Sequence, residues 1–230
     1  MTSSGTYAFS PSLADLFFGA YSLIQIRRGE VLTQHLADAQ LQANLILAKM
    51  SNRNPFQFTL ETQSVPLIQG TPSYNLASRT VAVAMVTIRT VDALGTPTDR
   101  ILGPFSDTEY ASVPNKTMQA PSTTYWFQLA STPQITLWPT PDLNSTYTLL
   151  VTSFRQMQDA SPVLGQTADL PYRFLDAFVL GLASKLALVY RPEMHDRLKS
   201  LFEESFKEVT IRDEQDVDVH ITPGLGGYYQ

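Results

Sequence analysis

FLDAFVLGLASKLALVY, residues 174–190, is apolar on nearly every side when wound at helical spacing. Phe174, Ala177, Phe178, Gly181, Leu182 and Leu188 share one face, while Leu175, Val179, Leu180 and Leu186 fill much of the other. Such a helix must be surrounded by other helices. It is short for a membrane span and carries Asp176, Ser184 and Lys185, so it reads as a buried core helix. The helices able to surround it lie at both ends of the chain, with strand and turn sequence between them. Helices from opposite ends can bury their apolar stripes only against each other, which makes the middle an insertion. The expected fold is α+β: an antiparallel helical bundle formed by N- and C-terminal helices, an inserted small antiparallel β-sheet or sandwich subdomain, and an extended C-terminal arm. The corresponding segments are 1–54 (arm and helical hairpin), 55–160 (β-rich insertion), 161–210 (C-terminal helices) and 211–230 (arm).

Upstream, Met1–Phe9 reads as a loose arm. Ser10-Pro11 is expected to start a helix, with Ser10 as cap and Pro11 at the first helical position. Leu13, Leu16, Phe17, Ala20, Tyr21 and Ile24 then recur at helical spacing, and Arg27-Arg28-Gly29 is expected to supply cations and a left-handed stop. A second helix capped by Thr33 runs through Leu36, Ala39, Ala43, Ile46, Leu47 and Met50 to Asn54-Pro55. Downstream, the last helix carries Met194, Leu198, Leu201, Phe202, Ser205, Phe206 and Val209 on one stripe, with charged residues off it.

Between these ends the period changes to two. Phe56, Phe58 and Leu60 alternate with polar residues as in a half-buried strand. Val81–Ile88, rich in β-branched residues, is the expected central strand. Further strands are expected at 124–129, 134–138 and 146–154. Ser106 and Glu109 match a capping box, which predicts a short helix near Tyr110.

The 230 residues carry a formal net charge of −5 and no cysteine. Disulfides and thiolate metal sites are excluded, and a sequence-independent DNA binder would concentrate Lys and Arg instead. No basic n-region with an apolar run and cleavage site opens the chain, so it is expected to remain where it is made. His35, His195 and His220 stand alone in sequence and read as surface or capping residues, and no cofactor or metal is expected. Gly224, Gly226 and Gly227 lack the strand–loop–helix context of a nucleotide site. Asp107, Glu109 and Asp142 lie in or beside loops and are the candidate carboxylates for a competing reading, a cell-wall glycan hydrolase. Capping and turn formation explain them better. Trp126 and Trp138 could stack on sugars in a carbohydrate-binding tail component, but their strand context favours core positions.

The most suggestive functional segment is the tail, where Asp216-Val217-Asp218-Val219-His220-Ile221-Thr222 alternates acidic or polar with β-branched residues. Such a stretch forms a strand only when a partner supplies an edge. With Pro223 and Tyr228-Tyr229 it reads as an extended arm. The partner-binding residues are then Val217, Val219, Ile221, Pro223, Tyr228 and Tyr229.

Several segments in order resemble the podovirus-type bacteriophage head-to-tail adaptors, the family of tail tubular protein A and the packaged-DNA-stabilisation proteins. They are Phe18-Gly19-Ala20-Tyr21 with Arg27-Arg28; residues 70–76; Ile135-Thr136-Leu137-Trp138-Pro139-Thr140-Pro141; and residues 169–177 leading to Tyr190-Arg191-Pro192-Glu193. The resemblance implies a non-enzymatic virion protein at the head–tail junction, made in the host cytoplasm. It implies a homo-oligomeric, dodecameric ring beneath the portal protein, with the C-terminal arm docked on portal subunits. The ring would help retain packaged DNA, offer a platform to the downstream nozzle or tube protein of the tail, and leave an axial channel. Genomic DNA would pass through it without sequence-specific binding, and no membrane is involved.

Overall fold

A computed structural model of the chain describes residues 5, 9–53, 56–91, 94–142, 147–161 and 165–213. Val217, Val219, Ile221, Pro223, Tyr228 and Tyr229 lie outside these residues, as does His220. In chain order the elements are α1 (Leu13–Leu23), α2 (Thr33–Arg53), β1 (Leu60–Pro66), β2 (Ser73–Asn75), β3 (Thr80–Val91), β4 (Pro97–Ile101), β5 (Gly103–Phe105), α3 (Asp107–Ser112), β6 (Thr124–Gln128), β7 (Gln134–Trp138), β8 (Tyr147–Arg155), α4 (Leu175–Tyr190) and α5 (His195–Asp213). The fold is α+β, with helices from both ends of the chain in one layer and the strands inserted between them.

Helix α4 is the centre of the helical layer, packed against α1, α2 and α5. Its Phe178, Leu182 and Leu186 meet Phe17 and Tyr21 of α1, Ile46, Leu47 and Met50 of α2, and Leu198, Phe202 and Phe206 of α5 in one apolar cluster. Each such side chain contributes about 1.5–3 kcal/mol on burial. Gly181 allows α5 to come close: a Cβ there would lie 3.0 Å from the Phe202 ring.

The helix ends differ from the sequence expectation at α1. Ser12, not Ser10, is the cap; its hydroxyl accepts from the Asp15 N–H at 3.2 Å. The reason is tertiary, because Ser12 bridges to Thr167 and the Leu13 N–H donates to the Gln166 carbonyl, holding residues before Leu13 extended. The stop is also earlier than Gly29. Gln25 takes the left-handed conformation (φ 63°), the Ile26 N–H donates to Tyr21 and the Gln25 N–H to Ser22. This is a Schellman stop, made without glycine because buried Ile24 and half-buried Ile26 must turn back into the core. Arg27 and Arg28 therefore lie beyond the last turn, and Arg28 reaches back over the Phe18 ring, 4.3 Å from its centre.

The strands form two four-stranded sheets, ordered β1-β8-β3-β4 and β2-β7-β6-β5. Their facing sides close over Val86 and Ile88 of β3, Leu149 and Val151 of β8, Tyr125 of β6, and Ile135 and Leu137 of β7. A sandwich results. As expected, β3 is central, pairing with β8 on one side and β4 on the other. A register shift between Val83 and Met85 breaks its alternation, so Val86 and Ile88 point inward while Met85 is exposed. The pair β5·β6 is parallel, unlike the others, because the segment containing α3 crosses over between them. Phe56 and Phe58 do not belong to a strand. Phe56 precedes a 3-10 turn at Gln57–Thr59, and both rings pack on Phe174, centres 5.0 and 5.2 Å away, within the helical core.

The return from sheet to helices is held at several points. Asn44 of α2 bonds both backbone groups of Ala160, accepting at 2.7 Å and donating at 3.4 Å. Arg155, at the end of β8, forms a two-armed pair with Asp169, which also accepts from the Gln158 N–H at 3.0 Å. Burial pushes the Asp169 pKa up, but the hydrogen bonds from Arg155 and Gln158 and the arginine charge outweigh it and hold the carboxyl below its usual range.

Candidate functional site

The candidate carboxylates are engaged in local structure. Glu109 closes the expected capping box, its Oε2 accepting from both the Ser106 N–H and the Ser106 hydroxyl at 2.7 Å. These two bonds lower its pKa. Asp107 accepts from the Trp126 indole N–H at 2.6 Å. Asp142 sits after β7 beside Tyr147, whose hydroxyl pKa is raised by burial and then by the Asp142 charge.

Strand alternation puts Trp126 and Trp138 on the side of their sheet opposite Tyr125 and Leu137, away from the sandwich interior. They are half-buried rather than core. Trp126 stacks on Tyr110 of α3, with ring centres 4.3 Å apart and planes at 18°, and Trp138 donates to the Asn115 carbonyl at 3.1 Å. Period-two alternation named the two faces without saying which one a second sheet would cover. Tyr110 covers one face of the Trp126 ring.

The described histidines are structural. His35 Nδ1 accepts from the Leu32 N–H at 2.9 Å, and its ring lies between Tyr21 and Tyr190. His195 Nδ1 lies 2.8 Å from the Ser184 carbonyl, to which it donates as the Nδ1–H tautomer. Among the described residues, no group of three or more His, Asp or Glu is placed to hold a metal ion.

What remains for function is surface. Leu41 and Leu45, one turn apart on α2, are 59% and 53% exposed, and Leu188 and Val189 at the end of α4 are 51% and 63% exposed. The buried stripe of α2 runs through Ala39, Ala43, Ile46, Leu47 and Met50, so Leu41 and Leu45 form a second apolar line on its outer side. Sequence reasoning passed over this pair; the signal was two leucines at i and i+4 off the stripe. Contiguous exposed apolar side chains on a folded protein mark contact surfaces.

Comparison with known proteins gives three results. The sequence profile of the SU10 adaptor protein family matches residues 14–224. No curated protein matches the chain. Among solved structures, a chain in the neck of an empty gene transfer agent particle, computed with C6 symmetry, is similar at 12% identity over 80% of this chain and 81% of that one, with a TM-score of 0.31. Because the family profile covers both helical ends and the whole insertion, the chain belongs to the SU10 adaptor protein family and is a structural head-to-tail adaptor of the bacteriophage virion.

Proposed function

We propose that this adaptor assembles as a closed homo-oligomeric ring, dodecameric, beneath the portal protein, with the helical segments 1–54 and 161–210 facing neighbouring subunits. The observation that carries this is the apolar outer line Leu41–Leu45, which a monomer would leave in water. The arm beyond α5, through Val217, Val219, Ile221, Pro223, Tyr228 and Tyr229, docks onto portal subunits by strand addition and tyrosine anchoring. The insertion 55–160 completes a platform for the downstream nozzle or tube protein. The ring helps retain the packaged genome and leaves a channel for its exit. A chain of net charge −5 repels phosphate, so DNA slides past without sequence-specific binding.

The protein is made in the host cytoplasm and works in the virion without a membrane; no described helix is long and apolar enough to cross one. A catalytic role has no support in the geometry of Glu109. A general acid at neutral pH needs its carboxyl pKa raised, and Ser106 lowers this one.

The test is the solution mass by light scattering on a sizing column, alone and with the portal protein of the same genome. The expected result is a complex containing twelve copies of the 25.6 kDa chain per portal. Absence of any association at varied salt would refute the connector geometry. Deletion of the residues after Arg212 should leave the chain folded but unable to bind the portal.

A further inference from the structure

Between α2, α4 and α5 the helical layer leaves an open groove of about 250 Å³. Its floor is apolar, formed by Ile46, Met50, Gly181, Phe202 and Phe206. Its rim is cationic: Lys49, Arg53, Lys185 and Lys199 surround a single acid, Glu203, which already accepts from Arg53 at 2.8 Å. Among the described residues, Lys49, Lys185 and Lys199 have no carboxylate partner. The groove continues the outer apolar line of α2, because Leu41, Leu45 and Lys49 stand at successive turns of that helix, and exposed Leu188 lines the groove from α4. Leucines at one end thus lead into cations at the other. An occupant complementary to this surface sets acids between exposed apolar side chains.

Helix α5 carries such a surface. Leu201, Glu204, Glu208 and Ile211 follow one another at helical spacing, so they form one line, and all four are exposed. Arg197, a turn before Leu201, bounds the line at its N-terminal end. Among the described residues, Glu204 and Glu208 have no cationic partner. The lengths are comparable. At 1.5 Å per residue the line spans about 15 Å, and the stretch of α2 from Leu41 to Arg53 spans about 18 Å. At 3.6 residues per turn, the line lies about 120–200° around α5 from Lys199. Groove and acidic line therefore occupy different flanks of the same helix, and one copy can present both at once.

We infer that the acidic line of α5 in one copy seats in the groove of the next, with Glu204 and Glu208 toward Lys49, Lys185 and Lys199. Leu201 and Ile211 then meet the exposed leucines and the groove floor. The occupant is a second copy of this chain because the two complementary flanks stand on one chain and face different ways. Such a contact is heterologous: each copy gives one patch and receives on another, and repetition closes a ring where the rotation permits. The inference rests on the ring reading above and adds to it the two flanks that meet and the charges that set their register.

The test uses two full-length variants with the portal protein present, the mass being read by light scattering. Lys49→Glu with Lys199→Glu makes the groove acidic, and Glu204→Lys with Glu208→Lys makes the line cationic. Each variant alone should need at least about tenfold more protein than the wild type to form rings, because like charges meet at every contact. Mixed in equal amounts they should form rings at the wild-type concentration. The acidic line of the first then meets the cationic groove of the second, and the cationic line of the second meets the acidic groove of the first, so an even-numbered ring can alternate them. Rings of normal mass from either variant alone would overturn the contact and leave the ring reading intact. Variants with wild-type circular dichroism that fail both alone and mixed would do the same. The milder Glu204→Gln with Glu208→Gln gives a check that does not depend on reversed charges: its rings should no longer weaken as salt rises, and a wild-type salt dependence would overturn the contact. A wild type that forms no ring with the portal would overturn ring and contact together.

Discussion

Asp169 shows how one residue joins the two halves of this adaptor. Its carboxylate takes both arms of Arg155 from the end of β8 and an amide of the return segment, about four-fifths out of solvent. Asp169→Asn removes the charge that Arg155 is placed to meet and should cost about 2–3 kcal/mol, read as a lower urea midpoint with unchanged slope. The pH dependence follows from the lowered pKa. The stabilisation is fully present above the ordinary carboxylate range near pH 4 and is lost as pH falls through the lower folded-state value. The wild type should therefore lose stability below about pH 4 more steeply than Asp169→Asn. Equal acid slopes would show that the pair contributes no differential protonation.

At the scale of elements, α3 and the α4–α5 contact make opposite demands. Helix α3 is short and exposed, so its capping box carries much of its stability. Ser106→Ala should cost about 1 kcal/mol, seen as a change in fluorescence as Trp126 loses its Tyr110 stack before global unfolding. The α4–α5 contact depends on space instead. A Cβ at Gly181 already reaches 3.0 Å from Phe202, and the branched side chain of Gly181→Val should cost about 3 kcal/mol by forcing the helices apart. A melting temperature unchanged by Gly181→Val would mean that Phe202 swings aside freely. Gly181 and the capping box were both legible as residues: the capping box came with its role, whereas the close approach to Phe202 pairs residues on different helices.

For the whole molecule the question is where it meets others. Leu41 and Leu45 add little to the fold when they face water, so Leu41→Glu with Leu45→Glu should leave circular dichroism unchanged and stability within about 0.5 kcal/mol per site. The same pair should block ring formation beside the portal while leaving a one-to-one encounter possible. Rings of normal mass from this variant would remove α2 from the subunit interface. The arm residues Val217, Val219, Ile221, Pro223, Tyr228 and Tyr229 were named from their pattern alone, and portal capture by the full chain against the chain cut after Arg212 is the measurement that checks them.

Local periodicity was enough to establish the helices at both ends, the central place of α4 and β3, the strands β6, β7 and β8, the capping box at Ser106, and the helix-sheet-helix plan. Each of these depends on neighbours a few residues apart, within reach of a pattern. Long-range pairing settled the rest. Thr167 and Gln166 moved the start of α1 to Ser12, Phe174 drew Phe56 and Phe58 out of the strand period into the helical core, and β7 and β8, adjacent in sequence, went to different sheets. These outcomes turn on which distant surface a side chain meets, and alternation along a strand names two faces without saying which one a partner will cover.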